Sequence, residues 1–317
     1  MQNNDYLKWV YLLVLSLIWG TSFILIKKAL IGLNAYQLGA LRTIITGVFL
    51  FIVGYNKLKL IKREDWKWIA LSGFVGSFFP AFFFAIAETE IDSAVASILN
   101  SLVPLNTVLL GAAVFKIATN TRQVIGIVIG FVGTSILILE GADLNPNQNY
   151  WYAGFVIAST IMYAINVNVI KTYLQHVKPL SIAAGNYVII FIPALLVLIL
   201  TDFFNVENLD QSEFVSSIGF VVVLSFFGTA LAKVLFNKLV QMSTPVFASS
   251  VAYIMPIVAL IWGLLDNETF SWTQGLGSLI ILFGVFLANR KQKKSEVIKL
   301  RIFNKYHKQL IIQSLRL

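Results

Sequence analysis

The chain has 317 residues, of which 58% are hydrophobic and only 12% charged, whereas a soluble domain carries charge near a quarter of its residues. Cysteine is absent, which excludes disulfides, thiol nucleophiles and cysteine metal sites, and only His176 and His307 could supply imidazole. A net charge of +9 invites a nucleic-acid reading, but the placement of the charges gives it to a membrane surface instead.

In chain order, apolar runs of membrane-crossing length fall at residues 9–29, 35–54, 67–87, 93–115, 122–140, 151–171, 179–201, 214–238, 244–265 and 271–289. The first is too long for a cleaved signal peptide. The connections alternate in sign. Lys57, Lys59, Lys62, Arg63 and Lys67 follow the second run, Lys116 and Arg122 the fourth, Lys171 and Lys178 the sixth, and Lys238 the eighth. Acids hold the others: Glu88, Glu90 and Asp92; Glu140 and Asp143; Asp202, Glu207, Asp210 and Glu213; Asp266 and Glu268. With Lys8 at one end and nine basic residues after position 289, both termini join the basic side, which the positive-inside rule assigns to the cytoplasm. Both ends on one side requires an even number of spans, and ten satisfies it.

Five spans per half would set the second half inverted relative to the first, and the sequence carries the trace of such a repeat. Ala96-Ser97 precedes Pro104 by the spacing with which Ala248-Ser249 precedes Pro256, at an offset of 152 residues. Trp19 to Lys27 is spaced like Tyr163 to Lys171, and at the same offset of 144 Arg42 falls opposite Asn186. Gln123, Gly126 and Gly133 match Gln274, Gly277 and Gly284 at an offset of 151. Gly126 and Gly130 add a small-residue pattern for close helix packing. The expected fold is therefore all-α and polytopic, with ten transmembrane helices in two inverted five-helix repeats at 1–140 and 151–289, followed by a basic cytoplasmic tail at 290–317 that lies on anionic lipid.

The residues Trp19-Gly20-Thr21-Ser22-Phe23 with Lys27, Arg42, Ala96-Ser97 with Pro104, then Ala248-Ser249, Pro256, Glu268, Gln274 and Gly277, resemble the drug/metabolite transporter superfamily in its EamA branch. The resemblance runs from about residue 8 to 290, and it departs after the fourth span, where Lys116-Ile117-Ala118-Thr119 stands in place of the family's Glu. It implies two repeats around a central cavity, alternating access, and movement of small metabolites such as amino acids.

Several residues are candidates for the work. Arg42 lies about seven residues into its span, roughly 10 Å along the axis, where a guanidinium must face protein, a wet cavity or the interface. It could bond the carbonyls freed by proline breaks, or capture a carboxylate or phosphate with its planar fork. Lys233, about five residues from a span end, is expected to snorkel to the interface; facing the cavity it would be a second cation. Lys27, Lys28, Lys171 and Lys238 read as interfacial anchors, and Trp66, Trp68, Trp151 and Trp272 as belt residues. Trp19, Thr21, Ser97, Asn100, Tyr163, Asn166, Asn168, Asn186, Ser249 and Tyr253 could complete a binding site or simply bond helix to helix. The five phenylalanines Phe78, Phe79, Phe82, Phe83 and Phe84 read as packing, and Pro80, Pro104, Pro193 and Pro256 as flex points, the last two of each half's broken helices being Pro104 and Pro256.

The central parts of the spans hold no Asp or Glu, leaving only Glu88 and Glu140 at span ends as proton-carrying acids, and a cavity with excess positive charge favours anionic or zwitterionic substrates. No P-loop, His-Glu-x-x-His or Gly-x-Ser-x-Gly motif is present, so neither a nucleotide motor nor a catalytic centre is indicated, and no cofactor or metal is expected. The expectation is a gradient-driven transporter, an exporter, of carboxylate-bearing metabolites, with the lipid bilayer and a small-molecule substrate as its partners and no nucleic acid. A nucleotide-sugar or sugar-phosphate carrier is the alternative within transport; an enzyme acting on lipid-linked substrates, or a scaffold, is the alternative outside it.

Overall fold

A computed structural model of the chain describes residues 2–115, 121–144, 148–204 and 212–289. Lys116 to Thr119, Glu207, Asp210 and the tail from residue 290 lie outside the described residues, as do the side chains of Gln123 and Asp143. The described chain is helical throughout. Eight membrane-length apolar helices span Tyr6–Ala29 (α1), Ala35–Leu58 (α2), Arg63–Ala87 (α3), Ser93–Ala113 (α4), Tyr150–Tyr173 (α6), Pro179–Ile199 (α7), Ser212–Met242 (α8) and Pro245–Leu265 (α9). Thr121–Leu144 (α5) and Trp272–Asn289 (α10) complete the set. In lipid each helix must satisfy its own backbone, so length and hydropathy alone carried the reading this far.

The irregular places come in matched pairs. α4 breaks after Asn100 and restarts at Val103, with Pro104 in the first turn of the new segment, where a missing donor costs nothing. α9 breaks the same way: Pro245–Ser249, a tight turn at Ser250–Tyr253, then Met255–Leu265 with Pro256 in its first turn. α3 and α8 carry a second pair of irregularities, π-helical segments at Phe74–Phe78, with Pro80 in the first turn that follows, and at Leu224–Leu231, which no proline marks. A π segment shifts the hydrogen-bond register and leaves carbonyls for other donors.

The repeats meet through equivalent helices, α2 against α7 and α5 against α10. In the second pair the backbones nearly touch. A Cβ on Gly133 would fall 2.7 Å from the Ile281 nitrogen and 2.8 Å from the Gly277 oxygen, and one on Gly284 would fall 2.6 Å from the Gly130 nitrogen. The duplicated glycines are therefore places where one helix receives the backbone of the other. Gly133→Ala is expected to cost about 1–3 kcal/mol, because no flexible side chain can give way. Thermal unfolding in detergent measures it, with Gly275→Ala, whose Cβ would meet nothing closer than 3.8 Å, as the silent control.

Trp151 and Trp272, expected in the belt, are 90% and 94% exposed, whereas Trp68 lies flat on Tyr173, ring centroids 3.7 Å apart. Phe78, Phe79, Phe82 and Phe83 pack on one another, mostly edge to face, as aromatic rings prefer.

Candidate functional site

A cavity of about 110 Å³ lies where the broken helices α4 and α9 face α1, α2, α3, α6, α7 and α8. Seven of the candidate residues line it: Trp19, Arg42, Asn100, Tyr163, Asn166, Lys233 and Ser249. Four do not. Thr21 accepts a hydrogen bond from the Trp262 indole at 3.1 Å. Ser97 is fully buried within α4 away from the cavity. Asn186, although it matches Arg42 in the repeat, is spent on packing and donates to the Ile69 carbonyl at 2.6 Å. Tyr253 packs against the core. Asn168 is also a packing residue, bonded to the carbonyls of Ala164 and Thr107.

The two π segments supply the site with fixed acceptors. Lys233 on α8 donates to the Gly76 carbonyl of the α3 segment at 3.1 Å, and Trp19 on α1 donates through its indole to the Gly228 carbonyl of the α8 segment at 2.9 Å. Lys233 is only 5% exposed, so the snorkelling expectation is overturned. Its stem runs inward because a carbonyl waits there, whereas the lipid-facing route offers none at that depth. A Cβ at Gly76 would fall 2.4 Å from the end of the Asn166 side chain, so glycine leaves that amide its place beside the carbonyl.

Arg42 faces the same space. Its Nε donates to the Thr229 hydroxyl at 2.9 Å, and Thr229 in turn donates to the Leu224 carbonyl five residues back, the spacing of a π turn. That bond orients the guanidinium. No Asp or Glu pairs with it among the described residues, and none lines the cavity. On the opposite wall Asn100 is 4% exposed; its amide nitrogen lies 3.8 Å from the Met255 sulfur and its carbonyl oxygen has no partner. The site thus combines a buried cation, Lys233, and a half-buried one, Arg42, with an unfilled acceptor and aromatic walls from Trp19, Phe84 and Tyr163. Thr229, Tyr187, Ser22 and the Gly76 and Gly228 carbonyls were not foreseen as lining; Pro80, which lacks the N–H that would close on Gly76, was a signal for the first carbonyl, whereas the π register that leaves the second has no mark in composition.

Of the four lysines expected at the interface, Lys238 is exposed, while Lys27, Lys28 and Lys171 are tied to protein. Lys27 bridges Glu268 and Asp266, each at 2.9 Å, and Lys28 also pairs with Asp266. Glu268, 3% exposed in its side chain, further accepts from the Ser93 nitrogen and hydroxyl and the Ala94 nitrogen at 3.1, 2.6 and 3.1 Å, capping the start of α4. Burial pulls the Asp266 carboxyl up, but hydrogen bonds from Lys28 and Lys27 outweigh it and hold the group below its ordinary value. On the other face Lys171 donates to the carbonyls of Val240, Gln241 and Ser243, the nearest at 2.6 Å.

Comparison with known proteins agrees with this architecture. A family model described as the EamA-like transporter family matches twice, over residues 7–139 and 150–290. A protein named "Uncharacterized transporter" from Archaeoglobus fulgidus is 27% identical over 286 residues, covering 90% of this chain and 99% of its own. The inner membrane transporter YedA of Escherichia coli K12, also named as uncharacterized, is 26% identical, covering 87% of this chain and 88% of its own. A solved crystal structure superposes with a TM-score of 0.62 at 16% identity, over 91% of this chain and 96% of that one, a likeness of fold. Two matched halves, proline-broken helices in register and a central cavity between them make this chain a multi-pass membrane protein of the EamA-like transporter family.

Proposed function

We propose that the protein is a gradient-driven exporter of small carboxylate-bearing metabolites, amino acids foremost, that works by alternating access, its two repeats rocking at Pro104 and Pro256. The observation that carries the reading is the pairing of Arg42 and Lys233 in a cavity whose described lining holds no acid. A substrate carboxylate would take the guanidinium fork that Thr229 orients, and the unfilled Asn100 oxygen would accept from its ammonium. Trp19, Tyr163, Asn166 and Ser249 would complete the walls. The charge alternation of the loops supports a cytoplasmic location for both termini, and the name of the Escherichia coli relative supports an inner membrane. Repeats at 1–140 and 151–289 and a basic cytoplasmic tail belong to the same proposal.

Comparing the solutes inside and outside cells that express the wild type, Arg42→Gln or no transporter tests it. Loss of one amino acid or related anion from the interior only with the wild type supports the reading, and a gain overturns the direction. Because two cations also suit a phosphate, sugar phosphates and nucleotide sugars are included as competitors; competition by these alone would move the substrate class. Lys233→Met is expected to fold, since it replaces a buried cation by an apolar chain of similar length, and to weaken transport by about ten- to a hundredfold, the value of one hydrogen bond to a charged group. The check is transport at graded substrate concentration.

A further inference from the structure

Glu88 terminates α3, one turn beyond the cavity residue Phe84, and is 7% exposed with both carboxylate oxygens lacking a hydrogen-bond partner. An ionised carboxylate left in that condition is strongly unfavourable, and native proteins avoid it by pairing or protonation. The charged groups around it are identifiable. Glu268 reaches it from the loop before α10, Lys27 from α1 and Arg42 from α2. Tyr163 of α6 lies against Phe84, while Glu90 and Asp92 share its own loop and are held by the Asn149 nitrogen and the Gln148 amide. The flexible cation that acts on it, Lys27, is already occupied by Glu268 and Asp266, and with Lys28 on Asp266 that pairing helps tie the first repeat to the second. Burial first, and the charge of Glu268 second, hold the Glu88 carboxyl well above its usual range, against the opposite pull of Arg42 and Lys27.

We propose that Glu88 is the proton-binding site of this transporter: protonated, it leaves Lys27 to Glu268 and keeps the two repeats tied on that face, and on losing its proton to water it competes for Lys27 and weakens the tie, which then rests on Lys28 with Asp266 and on the Ser93 and Ala94 bonds to Glu268. One proton binds and one leaves per release, and no other reactant is needed. A tied state that holds the proton more tightly than the released state is favoured at low pH and lost as pH rises. The inference rests on membership of a transporter family and is independent of the substrate.

Because the chain has no cysteine, a pair of introduced cysteines is the only site for spin labels. Ile31 and Trp272, 59% and 94% exposed, lie at the α1 and α10 ends of the tie. Double electron–electron resonance between labels at Ile31→Cys and Trp272→Cys, with the full chain in nanodiscs, reads its opening without any substrate. The expected result is a single short distance at about pH 5 and a longer population that grows towards about pH 9, well above the range of an ordinary glutamate. Glu88→Gln, a near copy of the protonated acid, is expected to hold the short distance throughout. A flat profile in the otherwise wild-type chain overturns the proposal whether or not the variant folds. So does an unchanged profile in Glu88→Gln, or loss of the profile in Asp92→Asn, which would move the proton to Asp92.

Discussion

Arg42→Gln is expected to abolish measurable transport, a loss of about thirtyfold or more, while leaving the amount of folded protein in the membrane close to wild type. The magnitude follows from removing one member of the charge pair that the proposed substrate carboxylate would form in the closed cavity, about 2–5 kcal/mol. Folding is spared because the guanidinium makes one side-chain bond, to Thr229 at 2.9 Å, and no described carboxylate depends on it. A glutamine can still donate to that hydroxyl, but it has neither the charge nor the paired donors of the fork. Transport of the proposed substrate by purified Arg42→Gln in proteoliposomes, set beside its elution profile in detergent, separates the two effects. Equal loss of folded protein and of transport would show Arg42 to be structural.

Glu268→Ala is expected to act on stability before it acts on anything else, by about 3 kcal/mol. The carboxylate satisfies two backbone nitrogens and a hydroxyl at the start of α4 and holds Lys27 as well, so its removal leaves four donors short of an acceptor at once. Glu268→Gln should recover part of the loss, because an amide oxygen can still accept from Ser93 and Ala94, though it cannot pair with a lysine. Thermal melting of the two variants against the wild type measures the difference. Equal melting of the alanine and wild-type proteins would mean that water replaces the cap without cost.

Much of this was legible in the residues. Apolar runs, alternating loop charge and two copies of a small pair before a proline were sufficient for ten helices in two repeats, because lipid leaves the backbone so little choice. Arg42 was placed by its expense at that depth. Other residues were beyond reach. Lys233 could snorkel or turn inward with the same spacing, and what decided it was the Gly76 carbonyl, 157 residues away, which the π segment exposes and which Pro80, four residues on and without an N–H, cannot bond. Lys27 looked like an anchor because its acids stand 239 and 241 residues further along, and closure of the fold alone brings them together. Asn186 shows the limit of repeat reasoning: its partner position became a site residue while it became a packing residue, since inverted halves share a backbone but face different neighbours.

The contact between α5 and α10 has a mechanical consequence. Where a backbone sits directly against another backbone, as at Gly133 with Gly277 and at Gly284 with Gly130, few side chains are left to swing into a second arrangement. In the proposed rocking of the repeats, such a seam would serve as an axle that turns as one piece. Chemical staples placed across it should leave the carrier working, and staples between α1 and α9, whose residues wall the cavity, should stop it.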